Sequence, residues 1–86
     1  MQQEDKKKLI CTLAGRTFKK LRKNKSPYML ALEYEISTSL LNSLERGVKD
    51  PQLTTIFKVA EALGVKASEF VKIIEDGLPE GFSLVE

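Results

Sequence analysis

The chain of 86 residues is 42% hydrophobic and 30% charged, which is typical of one small globular domain. No apolar run approaches the ~18 residues that a membrane span needs, and the polar residues 1–8 lack the apolar core of a signal peptide. The single Cys11 excludes an internal disulfide and is expected to be a buried, unreactive thiol, so the sequence predicts a cytoplasmic protein without membrane association.

The net charge of +2 is distributed unevenly along the chain. Residues 1–25 hold nine Lys or Arg and two acidic residues, whereas residues 26–86 hold five basic and ten acidic residues. A basic first segment on an acidic body can attract phosphate, although a solvated lysine-rich helix face would give the same pattern. We divide the chain into a charged arm (residues 1–8), a folded domain (9–75) and a tail (76–86).

Helical periodicity dominates the segment that follows the arm. Apolar residues recur there at steps of three and four, which is typical of one buried helix face. These residues are Ile10, Ala14, Phe18 and Leu21. The first helix is predicted to end near residues 24–25. Strands are not indicated, because the chain lacks a sustained alternation of apolar and polar residues.

Two short helices are predicted next. Ser26 suits the N-cap and Pro27 the first helical position of the second helix, which is predicted to end at residues 33–34. After a short turn, Ser37 caps a third helix, and Gly47 is expected to end it in a left-handed conformation.

The second half of the chain contains two further helix signals. Asp50-Pro51 repeats the combination of cap residue and proline, and it is predicted to begin a fourth helix that Gly64 ends. A fifth helix is predicted over residues 67–75. The break at Gly77 and Pro79 then separates this helix from an unusually apolar tail.

The predicted core combines one face of every helix. Its members are Phe18, Leu21, Leu30, Ala31, Ile36, Leu41, Leu44, Ile56, Ala60, Leu63 and Val65. Leu53 and Phe57 are assigned to the apolar face of the fourth helix, and Tyr34 is expected to be buried as well. The predicted fold class is therefore all-α, a five-helix bundle.

The second and third helices have the spacing of a helix-turn-helix, in which a short turn joins two helices. Inward-facing leucines anchor the third helix, so its outer face carries polar residues. These residues are Thr38, Ser39, Asn42 and Ser43. A polar outer face at the start of a helix is what a reader of the DNA major groove presents. Leu40 lies on or near this face, where it can contact a thymine methyl group.

Three stretches of the sequence carry a family resemblance: LAGRTFKKLR at residues 13–22, LERG at 44–47 and AEALGV at 60–65. Over residues 13–71 the chain resembles the phage repressor, Cro and Xre type of helix-turn-helix regulators. The resemblance implies a lambda repressor-like DNA-binding domain. It also implies that the protein is a sequence-specific transcriptional regulator whose partner is double-stranded DNA.

The resemblance further implies roles for single residues. Arg22 and Glu45 would form a partly buried ion pair between the first and third helices. Thr38, Ser39 and Ser43 would read bases. Arg46 and Lys49 would contact DNA phosphates. Apart from the resemblance, Ser26 and Tyr28 are also expected at phosphates.

The chain departs from the family pattern in its reading surface. Pro27 stands where Gln is common and cannot make that residue's phosphate contact, while Glu35 replaces a frequent Gly and is expected to need a left-handed backbone. The third helix has no Arg, Lys or Gln, which leaves Asn42 as its residue suited to a bidentate adenine contact.

Apolar side chains on the second and third helices favour an alternative function. These side chains are Tyr28, Met29, Leu32 and Leu40. Exposed apolar patches mark protein interfaces. The same fold would then serve mainly for protein contact, as an antitoxin-like or anti-repressor module with weak DNA binding.

We expect a homodimer on a near-palindromic operator, because one short reading helix with Ser, Thr and Asn at its tip supplies little specificity. The dimer interface is expected at the fifth helix and the tail, through Phe70, Ile74, Leu78 and Phe82. In the alternative arrangement the tail folds back over the first helix of its own chain.

The sequence gives no indication of an enzyme. It contains no histidine, no Gly-rich phosphate loop and no cluster of metal ligands. Catalytic activity, a cofactor and a metal site are therefore not expected.

Overall fold

The computed structural model describes residues 2–86 and contains helices but no strand over that range. The helices are α1 (Gln3–Arg22), α2 (Pro27–Tyr34), α3 (Thr38–Glu45), α4 (Leu53–Leu63) and α5 (Ala67–Asp76). The prediction of an all-α, five-helix fold is confirmed. None of the helices described is long and apolar enough to cross a membrane. Met1, the first residue of the charged arm, lies outside the described residues.

α1 is longer at its start and shorter at its end than the sequence predicts. It begins at Gln3, so residues 3–8 of the charged arm belong to the helix and are continuous with the domain. It ends at Arg22 rather than at residues 24–25, because the Lys23 backbone turns to a φ of 53°, which does not continue an α-helix.

Serine caps fix the starts of α2 and α3. The Ser26 hydroxyl accepts a hydrogen bond from the Met29 amide at 3.1 Å. The Ser37 hydroxyl accepts one from the Leu40 amide at 3.2 Å. Each bond satisfies an amide that has no partner inside its own helix. Both predicted caps are therefore confirmed.

The turn between α2 and α3 strains the backbone at Glu35. Its φ of 54° and ψ of 45° are left-handed, as expected for a position where Gly is common. This conformation costs a residue with a side chain roughly 1–2 kcal/mol. The Ile36 amide donates to the Ala31 carbonyl at 3.1 Å, which closes the end of α2 before the chain enters α3.

α4 differs from its predicted start and orientation. It begins at Leu53, after the Asp50-Pro51 signal, with Gln52 as an N-cap residue whose side chain makes no capping bond. Leu53 and Phe57 are 71% and 59% exposed, so their assignment to the core was wrong. The buried residues of α4 are Ile56, Val59, Ala60 and Ala62. Phe57 follows Ile56 by one residue, which rotates it about 100° away from the buried face.

The core contains most of the residues that the sequence assigns to it. The buried members are Phe18, Leu30, Ala31, Leu41, Leu44, Ile56 and Ala60. Partly buried at its edge are Leu21, Ile36, Leu63 and Val65. Tyr34, expected to be buried, is 43% exposed because it is the last residue of α2, where the helix leaves its neighbours. Cys11 is buried as predicted.

α1 and α3 approach each other most closely at Gly15. A Cβ atom there would lie 2.5 Å from the Glu45 carbonyl oxygen and 2.6 Å from the Leu44 carbonyl oxygen, well inside van der Waals contact. Gly47, which ends the α3 region with a φ of 71°, lies against the backbone of Thr12. The two glycines therefore allow the end of α3 to lie directly on α1.

The tail beyond α5 folds back over the start of α1. The Lys6 ammonium donates to the Ser83 carbonyl at 2.5 Å and to the Glu86 carbonyl at 3.0 Å. The Gln3 side-chain amide donates to the Leu84 carbonyl. This is the arrangement that the sequence analysis gave as the alternative to an intermolecular tail.

The residues expected at a dimer interface are largely used inside the protomer. Phe70 and Ile74 are 0% and 8% exposed, since their side of α5 belongs to the common core. Leu78 and Phe82 are half-buried. The apolar pattern of α5 is thus explained by packing against α1 and α4, and Phe70 and Ile74 leave no surface for a second copy.

The close contact at Gly15 predicts an unusual response to alanine. On an exposed helix, Gly→Ala gains about 1 kcal/mol. Here the added methyl group must push two backbone carbonyls aside, so we expect Gly15→Ala to lower the free energy of unfolding by about 1–3 kcal/mol. Urea denaturation followed by circular dichroism measures this change.

The matched control for this substitution is Lys20→Ala, at an exposed position of the same helix. It should change the free energy of unfolding by no more than about 0.5 kcal/mol. A Gly15→Ala protein as stable as the wild type would contradict the close contact between α1 and α3.

Candidate nucleic-acid interface

α3 presents a polar face while it is anchored from behind. Leu41 and Leu44 are each 1% exposed and fix the helix to the core. On the opposite side Ser39 and Asn42 are exposed. The other predicted base-reading residues are half-buried, namely Thr38, Leu40 and Ser43. A rigid helix with free hydroxyl and amide groups suits contacts with base edges.

The start of α2 carries the first two residues expected at phosphates. Tyr28 is 61% exposed, so its phenol is accessible. The Ser26 hydroxyl already accepts the capping bond from Met29, and its proton remains available for donation to an anion. The first turn of α2 contains no acidic residue that would repel a phosphate.

The loop after α3 carries the other two residues that are expected to contact phosphates. Arg46 and Lys49 are both exposed. The Arg46 amide donates to the Asn42 carbonyl at 3.1 Å, which holds this residue at the end of α3. Along the chain, the hydroxyl groups at the start of α2 and the cationic side chains of the loop after α3 therefore flank the polar face of α3.

The structure contains the Arg22–Glu45 ion pair that the resemblance implies. Arg22 Nε lies 2.6 Å from Glu45 Oε1, and Arg22 Nη2 lies 3.1 Å from Glu45 Oε2. The two side chains are only 17% and 24% exposed. This bidentate geometry gives strong, directional hydrogen bonds, and it ties the last turn of α1 to the end of α3.

The electrostatics of the pair follow from this geometry. The hydrogen bond from Arg22 lowers the pKa of the Glu45 carboxyl against the opposing effect of burial, and the charge of Lys19 lowers it further. The same bond raises the pKa of the Arg22 guanidinium. Both groups therefore stay ionised at neutral pH.

A second ion pair was missed by the sequence analysis. Lys25 Nζ lies 2.9 Å from Glu33 Oε1, and both side chains are about half exposed. The hydrogen bond that the Lys25 ammonium donates to the Glu33 carboxylate raises the pKa of Lys25. No helical spacing rule predicts this pair, because Lys25 lies in the loop before α2 and Glu33 lies within α2. It connects this loop to the outer side of α2.

Cys11 is not part of the interface. Burial raises the pKa of its thiol, and the carboxylate of Asp50 raises it further. A protonated, buried thiol is a poor nucleophile.

The Arg22–Glu45 pair predicts a pH-dependent stability. Because the folded-state pKa of Glu45 lies below its unfolded value, the pair stabilises the fold above the ordinary carboxyl range. This contribution is lost as the pH falls through the folded-state pKa. Glu45→Gln should therefore lower the free energy of unfolding near pH 7 by about 1–3 kcal/mol and flatten its dependence between about pH 5 and pH 3.

Urea unfolding at a series of pH values measures both effects. Glu33→Gln is the matched control, because it removes the carboxylate of the exposed Lys25–Glu33 pair and should change little. Equal effects of the two substitutions at neutral pH would show that the Arg22–Glu45 pair does not hold α1 against α3.

Comparison with known proteins agrees with this geometry. The helix-turn-helix family matches residues 18–70, more than half of the chain. The uncharacterized HTH-type transcriptional regulator y4dJ of Sinorhizobium fredii (strain NBRC 101917 / NGR234) is 38% identical over 61 residues, which cover 69% of this chain and 79% of that relative. No solved structure matches the chain closely enough to indicate a relationship. With α2 and α3 joined by a short turn, these matches show that the chain belongs to the phage repressor, Cro and Xre type of helix-turn-helix DNA-binding transcriptional regulators.

Proposed function

We propose that this protein is a sequence-specific regulator that binds double-stranded DNA as a homodimer on a near-palindromic operator. The observation that carries the proposal is the polar face of α3, which is exposed at Ser39 and Asn42 and anchored behind by buried leucines. In this role α3 lies in the major groove and its N-terminal residues approach the base edges.

The side chains of α3 set the kind of readout. Asn42 makes a bidentate contact with adenine, and Ser39 and Ser43 donate or accept single hydrogen bonds. Thr38 and Leu40, both half-buried, offer methyl groups to thymine. Ser26, Tyr28, Arg46 and Lys49 contact phosphates and fix the register of the protein on the duplex.

The homodimer follows from this limited readout, because two copies double the contacts. For a twofold dimer, the two α3 helices must lie about 34 Å apart on one side of the duplex. The interface must use apolar side chains that the protomer leaves exposed. Leu53 and Phe57 lie one turn apart on α4 and are both more than half exposed.

We assign the dimer contact to this face of α4. Lys58 and Glu61 on the same helix are exposed, and neither forms an ion pair within residues 2–86. A twofold axis brings the same surface of both copies together. Two antiparallel α4 helices then bury Leu53 and Phe57, and Lys58 of each copy faces Glu61 of the other.

A second function is favoured by one observation on α2. Tyr28, Met29 and Leu32 are 61%, 56% and 65% exposed, and their spacing puts them on one side of the helix. A surface of this kind fits an apolar protein partner. Under this alternative the protein is mainly a protein-contact module, and it binds duplex DNA weakly even at low salt.

Binding measurements distinguish base-reading residues from phosphate contacts. Arg46→Ala and Lys49→Ala should each weaken binding to selected and random duplexes alike. Each should also make the plot of log K against log salt shallower by about 0.9. Asn42→Ala should instead lose about 1–3 kcal/mol of discrimination at one base position with the salt slope unchanged.

Lys72→Ala on α5 is the control for these titrations, since it removes an exposed charge away from α3. If Asn42→Ala weakens every duplex equally, α3 is not the base reader. Failure of the wild type to bind any duplex at low salt would favour the protein-contact alternative.

Sedimentation velocity tests the dimer. Phe57→Glu places two like charges at the centre of the proposed α4 contact, so it should convert a dimer into a monomer at micromolar concentrations. Leu32→Glu is the matched control, because Leu32 is equally exposed on α2 and its substitution should leave the mass unchanged. A dimer that persists in Phe57→Glu would exclude α4, and a monomeric wild type that keeps full operator affinity would exclude dimerisation.

A further inference from the structure

The basic residues in the second half of α1 lie on one exposed face. They are Arg16, Lys19, Lys20 and Lys23, and we call them the α1 basic face. Steps of three and four keep three of them on one side of the helix, and Lys23 follows at its end. None of the four forms an ion pair within the described part of the chain.

Within α1, the charge of the α1 basic face is not compensated by neighbouring carboxylates. The acidic residues of α1 are Glu4 and Asp5 in its first turn, so no carboxylate lies one turn away from these four cations on their own helix. Like charges at this spacing repel one another and weaken a helix slightly. An anion outside the protomer would relieve this repulsion.

The face borders the loop that carries Arg46 and Lys49. Gly15, directly before Arg16, lies against the carbonyls of Leu44 and Glu45. Lys19 is near enough to the Glu45 carboxylate to lower its pKa. Since Arg46 follows Glu45 in the chain, positive charge continues from the end of α3 onto the outer side of α1.

The next part of the same loop also meets α1. Gly47 lies against the backbone of Thr12, about one helical turn before Arg16. The loop therefore crosses α1 beside the basic face, and the two groups of cations form adjoining surfaces.

We propose that the α1 basic face is a second phosphate-contacting surface for the same DNA duplex, beyond the bases that α3 reads. The inference rests on the proposed DNA-binding function and extends its contact area. From Arg16 to Arg22, the last residue of α1, the helix rises about 9 Å, and Lys23 follows directly. This length matches about three phosphates of one strand, which are spaced by 3.4 Å along the duplex axis.

The test compares two variants that lose the same net charge. Lys19→Gln/Lys23→Gln removes two cations from the α1 basic face, and Lys66→Gln/Lys72→Gln removes two exposed cations from the start and middle of α5. Binding to a selected duplex with long flanks is measured between about 50 and 200 mM salt.

Only the α1 variant should change its salt dependence. Its log K against log salt should become shallower by about 1.8, so its affinity should fall about tenfold less than that of the wild type over this range. On a duplex trimmed to the bases that α3 reads, the difference between the two variants should disappear. Lys19→Arg/Lys23→Arg should retain the slope of the wild type, because the charges remain.

Other outcomes overturn the inference. Contacts with flanking phosphates would be excluded if the α1 and α5 variants had equal salt slopes on the long duplex. They would also be excluded if the difference in slope persisted on the trimmed duplex. If Lys19→Gln disturbs the fold through Glu45, the double variant Lys20→Gln/Lys23→Gln takes the place of Lys19→Gln/Lys23→Gln in the same comparison. A wild type that binds duplex DNA normally while these variants match the α5 control rejects this inference alone, whereas absence of duplex binding rejects the proposed function itself.

Discussion

The position of α3 on α1 is the constraint on which the rest of the interface depends. Gly15 lets the backbone at the end of α3 lie directly on α1. About two helical turns further along, Arg22 holds the Glu45 side chain with two hydrogen bonds. The steric contact fixes the distance between the helices, and the ion pair fixes how α3 is oriented. A helix of eight residues such as α3 has too few turns to maintain its direction by itself.

The elements that local chemistry determines could be predicted from the sequence. Ser26 and Ser37 cap α2 and α3 within three residues of themselves, so the signal and its effect lie in the same short segment. Glu35 adopts the left-handed backbone that its position in the turn requires. The start of α4 was harder to predict from the sequence. Asp50-Pro51 is a common start signal, but the helix begins only at Leu53. The orientation of α4 depends on its packing against α1 and α5. The periodicity of a single helix carries no information about these neighbours.

The candidate site was predictable to the same degree. The residues on the outer face of α3 follow from helical spacing, whereas the Arg22–Glu45 pair came from a family resemblance, because no spacing rule connects α1 with α3. The tail was not determined by sequence patterns. Phe82 and Leu84 are apolar, which fits both a partner chain and the chain's own α1. Hydrogen bonds from Gln3 and Lys6 to tail carbonyls stabilise the second arrangement. Because every residue has a backbone carbonyl, no sequence pattern predicts which carbonyls accept these bonds.

The way the tail is attached has a consequence for how the protein can evolve. Gln3 and Lys6 hold the tail by its backbone, so these hydrogen bonds do not depend on which side chains the tail carries. Substitutions at Ser83 or Glu86 therefore leave the attachment intact, while a change at Lys6 removes two bonds at once. The exposed positions of the tail are therefore free to change and to acquire new contacts at low cost, and selection on the attachment acts at Gln3 and Lys6, near the other end of the chain.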